Sequence, residues 1–288
     1  MADCFFCRSK SSGESYYPRV SFNGKVFRYL KCGECGLVFI SPSLDERDLA
    51  VLYALDYHDE FYFKSAPDHP ALPRLFRRFL QPGSLLDYGC GDGSFLRSAA
   101  GAGVQLYGAE YNPGLVEKLQ GLYPQMRFIT VDRLRDYESA FDVIHLGDVL
   151  EHLCEPSPAL ANVHRALKPG GFLFIQGPLE HNFHLTWLLF GFYLRFRKAL
   201  RPSRIIEARP FHVLYANRKN QLAFLRRANF ELVQHEIVEW NWPFPARWKE
   251  ADTLKQKLQY CTVALSRTIS SIVPGWGNRL YYVGRKAD

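Results

Sequence analysis

The chain has 288 residues, of which 47% are hydrophobic and 23% are charged, and its formal net charge is +7. This length and composition allow a full hydrophobic core, and the absence of any apolar run long enough to span a bilayer excludes a helical integral membrane protein. The basic balance raises nucleic acid as a partner.

Two Cys-x-x-Cys pairs lie near the N-terminus, and the segment 16–30 between them alternates aromatic and polar residues around an Asn-Gly turn. Four thiolates at this spacing are typical of a tetrahedral zinc site, and Asn-Gly favours a hairpin. Residues 1–42 are therefore predicted to form a zinc ribbon that binds structural Zn²⁺. The ligands would be Cys4, Cys7, Cys32 and Cys35.

Two other interpretations of these cysteines stay open. Two disulfides would need an oxidising compartment, but nothing at the N-terminus resembles a secretory signal, so a cytoplasmic location is expected. Iron in a rubredoxin-like site is the other alternative. An aromatic linker, residues 43–72, follows the ribbon and includes the stretch 55–62.

A glycine-rich turn follows a short apolar run at residues 84–86. Asp87 ends the run, and Gly89, Gly91 and Gly93 allow the backbone to turn tightly before a helix that begins near Ser94. A dinucleotide fingerprint would need a third glycine where Ser94 stands. The turn therefore predicts a ligand site of another kind, which Cys90 lines without reacting.

The sequence after this turn alternates strands with helices. Residues 104–110 form a strand ending at Glu110, and Asn112 and Pro113 open the next helix. This alternation predicts an α/β fold with a doubly wound, mostly parallel, seven-stranded sheet. The later strands are predicted at 126–132, 141–146, 171–176, 231–237 and 279–284.

The run Asp-Tyr-Gly-Cys-Gly-Asp-Gly at 87–93 resembles motif I of class I S-adenosylmethionine (SAM) methyltransferases. The run 165–171 is similar to the turn before their fifth strand, and the resemblance covers residues 72–180. It implies a Rossmann-like domain, here 73–288, in which Glu110 binds the ribose of SAM and Asp132 binds its adenine. The cofactor-binding residues implied are Asp87, Gly89, Cys90, Gly91, Gly93, Glu110, Tyr111, Asp132 and Gly147.

Two sets of residues are candidates for catalysis. Asp148, Glu151 and His152 stand at i, i+3 and i+4, one face of a helical turn after the fourth strand. His152 is a candidate general base, or the three side chains hold a divalent ion, or they only brace the cofactor loops. The motif is similar to Glu-x-x-Glu-His of quinone-pathway O-methyltransferases, with Asp148 in place of the first glutamate. His212, in a Pro-x-His element that resembles one in zinc-ribbon methyltransferases, is the competing base.

An insert at about 181–210 follows the fifth strand. Its first part, 183–194, is apolar on nearly every face and is expected to be buried as a helical lid. An alternative is a lid that touches a membrane surface or grips a lipid-linked acceptor through residues 183–204. The basic residues of this insert are Arg195, Arg197, Lys198, Arg201, Arg204 and Arg209.

These features together predict a SAM-dependent methyltransferase that acts on oxygen of a small-molecule or lipid-linked acceptor. An RNA methyltransferase that uses the ribbon and the basic segment is one alternative, and C-methylation of a sugar-like acceptor is another. Against nucleic acid, residues 147–150 lack the Pro-Pro-aromatic motif of amino-methylating enzymes, and no Pro-Cys nucleophile is present. A non-enzymatic zinc adaptor is disfavoured by the intact glycine turn and carboxylates.

Overall fold

The computed structural model describes residues 3–54, 72–101, 103–202, 204–241, 244–245 and 247–287. Two compact units divide the chain. The first contains Met1–Pro42, Gly177–Leu222 and Glu236–Leu280, and the second contains Ser43–Gln176, Ala223–His235 and Tyr281–Asp288. The boundaries 1–42, 43–72 and 73–288 stay predictions, and the linker stretch 55–62 lies outside the described residues.

The strands of the described residues are named in chain order. They are β1 Ser12–Glu14, β2 Arg19–Phe22, β3 Lys25–Cys32, β4 Val38–Ser41, β5 Gly83–Tyr88, β6 Val104–Glu110, β7 Arg127–Thr130, β8 Phe141–Gly147, β9 Leu167–Pro178, β10 Ile205–Glu207, β11 Leu214–Tyr215, β12 Phe230–Val238 and β13 Arg279–Lys286.

The helices of the same residues are named likewise. They are α1 Glu46–Leu52, α2 Arg74–Arg77, α3 Ser94–Ala99, α4 Pro113–Leu122, α5 Pro156–Ala166, α6 Leu185–Leu200, α7 Arg218–Arg227 and α8 Leu254–Ser270. Short 3₁₀ turns cover Val131–Asp136, Leu150–His152 and Trp248–Glu250.

A seven-stranded sheet in the order β12-β13-β9-β8-β5-β6-β7 confirms the predicted fold class. The pairs β5–β6, β5–β8, β6–β7 and β8–β9 are parallel, as strands joined by helical crossovers should be. The predicted cap of α4 is also confirmed, because the Asn112 side chain accepts from the amide of Gly114 at 2.9 Å and Pro113 is the first helical residue.

The core of the second unit lies between helices and sheet. Phe76 on α2 is fully buried and stacks on Phe174 of β9 with ring centroids 4.7 Å apart. Leu85 of β5 and Leu96 and Leu119 on the flanking helices are also fully buried. The apolar residues of alternating strands and helices therefore pack as the doubly wound arrangement requires.

The first unit is built on a smaller sheet in the order β10-β2-β3-β4-β11, with β1 also paired to β3. The predicted hairpin is confirmed, since β2 and β3 are antiparallel and Asn23 and Gly24 have φ angles of 49° and 73°, as a two-residue hairpin turn needs. Strands β10 and β11, which complete this sheet, come from residues beyond 200 and were not predicted.

Three predictions of local structure are wrong. The third strand ends at Thr130, and Asp132 lies in a 3₁₀ turn. Strand β9 begins at Leu167 rather than 171. Helix α6 does not bury its apolar face: of its side chains, Phe192 is 73% exposed and Phe196 57%. The backbone of Gly191 is the part of α6 that is buried.

Candidate functional site

The carboxyl ends of three neighbouring parallel strands gather the predicted cofactor residues of the second unit. Asp87 on β5 pairs in register with Gly108 on β6 and with His145 on β8. Because parallel strands end at the same edge, the side chains that follow them meet there, and this is the edge at which open α/β sheets bind ligands.

The glycine turn has the backbone that its sequence predicts. Gly89, Gly91 and Gly93 have φ angles of 76°, 52° and 74°, in the left-handed region that favours glycine. A Cβ on Gly89 would lie 2.6 Å from Cγ2 of Val149. The turn therefore approaches the segment after β8 too closely for any larger residue at this position.

Glu110, at the end of β6, is bound to the backbone of the turn. Its Oε2 accepts a hydrogen bond from the amide of Gly91 at 3.0 Å, and its Oε1 accepts from the amide of Tyr111 at 2.8 Å. Burial raises the pKa of Glu110, while these amides act to lower it. Glu110 thus braces the turn, and its contact with a ribose stays a prediction. The side chain of Tyr111 is 41% exposed.

A buried histidine–carboxylate pair was missed by the sequence reasoning. His145 Nδ1 lies 2.7 Å from Oδ1 of Asp87, and its ring stacks on Phe95 with centroids 3.5 Å apart. A Cβ on Gly147 would lie 2.5 Å from His145 Cε1, so the glycine leaves space for the imidazole. The one signal was a histidine within the apolar run that follows Asp142 in β8. Asp87 is therefore held in a fixed orientation.

Cys90 and Asp132 occupy opposite environments. Cys90 is buried, and burial raises the pKa of its thiol well above the ordinary value, so the unreactive thiol is favoured. Asp132 is exposed, and a hydrogen bond from the Thr130 side chain lowers its pKa. The contact of Asp132 with adenine remains a prediction, although Asp132 does not lie at the end of a strand as the sequence suggested.

The Asp148, Glu151 and His152 motif does not form the α-helical turn that the spacing predicted. Asp148 precedes the 3₁₀ turn Leu150–His152 and has a left-handed φ of 53°. Glu151 is buried, and its Oε1 lies 4.0 Å from Nε2 of the half-buried His152. The i, i+3, i+4 face is lost because a 3₁₀ turn has three residues per turn. The catalytic and metal-binding roles stay predictions.

In the first unit, His212 is paired with a carboxylate that the sequence reasoning did not single out. Its Nδ1 lies 2.6 Å from Oε1 of Glu180, which follows β9. Its backbone carbonyl accepts a hydrogen bond from the Tyr29 hydroxyl at 3.1 Å. This is the arrangement that orients an imidazole, because a donating Nδ1–H leaves the lone pair on Nε2.

Also in the first unit, the thiols of Cys4, Cys7, Cys32 and Cys35 all lie within 4.8 Å of one another. The Sγ atoms of Cys4 and Cys35 are 3.6 Å apart, and those of Cys7 and Cys32 are 3.5 Å apart. Both distances exceed a disulfide bond of about 2.05 Å, so these cysteines are free thiols.

Similarity to known proteins agrees with this site. A family model described as a methyltransferase domain matches residues 59–235, more than half of the chain. Curated relatives include the ubiquinone biosynthesis O-methyltransferases of Pseudomonas paraeruginosa (29% identity; 42% of this chain, 60% of the relative) and Hahella chejuensis (35%; 32% and 42%). The chain therefore spans less than two thirds of the length of these relatives.

Solved structures share the fold at low identity. A SAM-dependent methyltransferase from Methanosarcina mazei has a TM-score of 0.51 at 17% identity, covering 76% of this chain and 99% of that one. The [4+2]-cyclase SpnF has a TM-score of 0.50 at 20% identity, covering 83% and 93%. With the matching domain family and the glycine turn braced by Glu110, the chain belongs to the class I SAM-dependent methyltransferases.

Proposed function

We propose that this enzyme transfers the methyl group of SAM to an oxygen atom of a small-molecule or lipid-linked acceptor. The observation that carries the oxygen assignment is the short His212–Glu180 pair, which suits removal of a proton from a hydroxyl. The names of the matched relatives support the same chemistry, although they are matched over part of their length.

The second unit would hold SAM through Asp87, Glu110 and the glycine turn between them. Asp87 is oriented by His145, and Glu110 retains acceptor capacity beyond the hydrogen bonds that it accepts from the amides of Gly91, Tyr111 and Asn112. Tyr111 and Gly147 complete the edge. When bound, SAM supplies an electrophilic methyl group, so the protein needs mainly to position the acceptor and exclude water.

His212 is proposed as the general base and Glu180 as its positioning residue. The 2.6 Å contact fixes the tautomer with the proton on Nδ1, whereas His152 lies 4.0 Å from its neighbouring carboxylate. His152 is the second candidate base, and a divalent ion on Asp148, Glu151 and His152 is the third arrangement. General-base catalysis contributes about 10²–10⁴-fold to a rate.

The test uses radiolabelled SAM with catechol acceptors, with and without a prenyl chain. His212→Asn should lower kcat by about 10²-fold or more, and His164→Asn, a histidine on α5, is the control. Glu180→Gln should also lower kcat, because a neutral amide stabilises the imidazolium that forms during proton removal less than a carboxylate does. If kcat fell only in His152→Asn, the base would be His152 beside Glu151. Loss on adding EDTA, reversed by Mg²⁺, would favour the divalent ion.

The four N-terminal cysteines are proposed to bind one structural Zn²⁺. A zinc ion with sulfur ligands at about 2.3 Å in a tetrahedron places those sulfurs ~3.8 Å apart. The observed separations of 3.5 and 3.6 Å are close to this edge length. The backbone of Gly36, at a φ of 74°, makes the tight turn that follows Cys35.

RNA as the acceptor has less support. Of the basic residues that would form an RNA-binding segment, Arg195 lies 4.3 Å from the ring centroid of Tyr16, and Lys198 Nζ donates to the carbonyl of Ser15 at 2.5 Å. These two cations are engaged inside the first unit.

C-methylation of a sugar-like acceptor is the other alternative. In that case, the labelled methyl group would stay on the product under chemistry that removes methyl groups from ethers.

A further inference from the structure

Helix α6 carries its apolar side chains on the solvent side. In the first unit its inner side is formed by Gly191, where a Cβ would lie 3.6 Å from the Tyr16 hydroxyl, and by Arg195 and Lys198, which contact residues 14–16. The outward stripe repeats at helical spacing. Its exposed members are Leu188, Leu189, Phe190, Phe192, Tyr193, Phe196 and Leu200.

Helix α8 of the same unit packs beside α6 and adds a second stripe. The amide of Leu185 donates to Oγ of Ser266 at 3.2 Å, and Ser266 and Val263 form the buried side of α8. Its opposite side places apolar residues at i, i+4 and i+11. The exposed apolar residues are Leu254, Leu258 and Leu265 on the helix and Ile272 and Val273 just beyond it.

The charged residues of these two helices are of one sign. Neither α6 nor α8 contains an aspartate or glutamate, whereas both carry lysine or arginine, and Arg201 and Arg204 follow α6 as exposed side chains. A second copy of the chain would set these cations against one another. An anionic surface, by contrast, would attract them while the apolar stripes leave water.

We propose that this α6–α8 surface, formed by residues 183–202, Arg204 and residues 254–273, binds the surface of an anionic lipid bilayer. Contiguous exposed apolar side chains mark interaction sites, and an apolar face flanked by cations is the pattern of helices that lie in the membrane interface. The aromatic and leucine side chains enter the boundary of head groups and acyl chains, and the cations contact lipid phosphate. None of the described helices combines the length and apolarity needed to cross a membrane.

Cosedimentation of the full chain with vesicles tests this surface without SAM or acceptor, so the result does not depend on the proposed methyl transfer. We expect binding to phosphatidylglycerol–phosphatidylcholine vesicles at low salt and much weaker binding to phosphatidylcholine alone. Arg201→Glu with Arg204→Glu should weaken binding by at least about tenfold, since each cation near an anionic surface contributes roughly fivefold. The matched control is Arg226→Glu with Arg227→Glu, the same charge change at exposed positions of α7.

The apolar contribution has its own matched pair. Leu200→Ser with Leu254→Ser should weaken vesicle binding by roughly tenfold, whereas Leu122→Ser with Leu232→Ser, also exposed leucines, should not. Absence of wild-type binding to anionic vesicles would overturn the proposal. A concentration-dependent dimer would also overturn it, if the Leu200 and Leu254 changes dissociated that dimer and the wild-type protein bound no vesicles. Unchanged binding of S-adenosylhomocysteine shows that each variant is folded.

Discussion

Replacing Gly89 with alanine should destabilise the glycine turn for two separable reasons. The φ of 76° lies in the left-handed region, which costs a residue with a Cβ about 1–2 kcal/mol. The new Cβ would also lie 2.6 Å from Cγ2 of Val149, an overlap that costs about 1–3 kcal/mol to relieve. The free energy of unfolding should therefore fall by ~2–5 kcal/mol.

The chain offers a control for each part. Gly103 has a φ of 75°, yet the nearest atom to its added Cβ is Pro82 Cβ at 3.7 Å, so Gly103→Ala isolates the backbone term. Val149→Ala removes the overlapping methyl. In that background Gly89→Ala should cost only about 1–2 kcal/mol, as Gly103→Ala does.

Denaturant unfolding of the four variants, with calorimetric titration of S-adenosylhomocysteine, measures both stability and ligand affinity. Gly89→Ala should weaken ligand binding, and Gly103→Ala should leave it unchanged. If Gly89→Ala and Gly103→Ala cost the same and Val149→Ala gives no relief, the turn does not approach the segment after β8 as described.

Three further predictions concern other groups. Cys35→Ser should reduce bound zinc, measured by elemental analysis, from about one per chain, while the exposed Cys261→Ser keeps it. Glu110→Gln should weaken S-adenosylhomocysteine binding by roughly 1.5–3 kcal/mol in titration calorimetry, because an amide donor replaces one acceptor oxygen, and the exposed Glu117→Gln should not. Burial lowers the pKa of His181 to about 4 from an ordinary value of about 6.5, so the unfolded chain binds more protons between these values. Relative to its value above pH ~6.5, the free energy of unfolding should therefore fall by about 2 kcal/mol at pH ~5. The variant His181→Gln should lack this part of the pH dependence of unfolding.

The parts of the fold and site that depend on local sequence were predictable. Gly89, Gly91 and Gly93 can adopt left-handed φ angles without a steric penalty, Asn23 and Gly24 specify their own turn, and strand periodicity needs no partner to be recognised. Glu110 was correctly predicted at the end of a strand. Parallel strands end at a shared edge of the sheet, so the position of such a residue can be predicted from its own strand.

The contacts that were missed depend on residues far apart in the chain. His145 has no evident partner in the sequence, because Asp87, which faces it, lies 58 positions earlier. Glu180 acquires meaning only beside His212. For α6, an apolar character on nearly every face hides which side packs, and that choice is made by Gly191 and Tyr16.

Membership of the methyltransferase family does not determine which acceptor is methylated, so the acceptor chemistry has to be inferred from the site. The [4+2]-cyclase SpnF shares this fold at a TM-score of 0.50, so a fold of this kind does not by itself require methyl transfer. Methylation of a hydroxyl requires removal of its proton. An imidazole whose tautomer is fixed is the group best suited to remove that proton. Among the described histidine–carboxylate contacts, the half-exposed His212–Glu180 pair combines a 2.6 Å separation with access to solvent, whereas the His145–Asp87 pair is buried. The former pair is therefore suited to proton transfer and the latter to holding the cofactor turn in place.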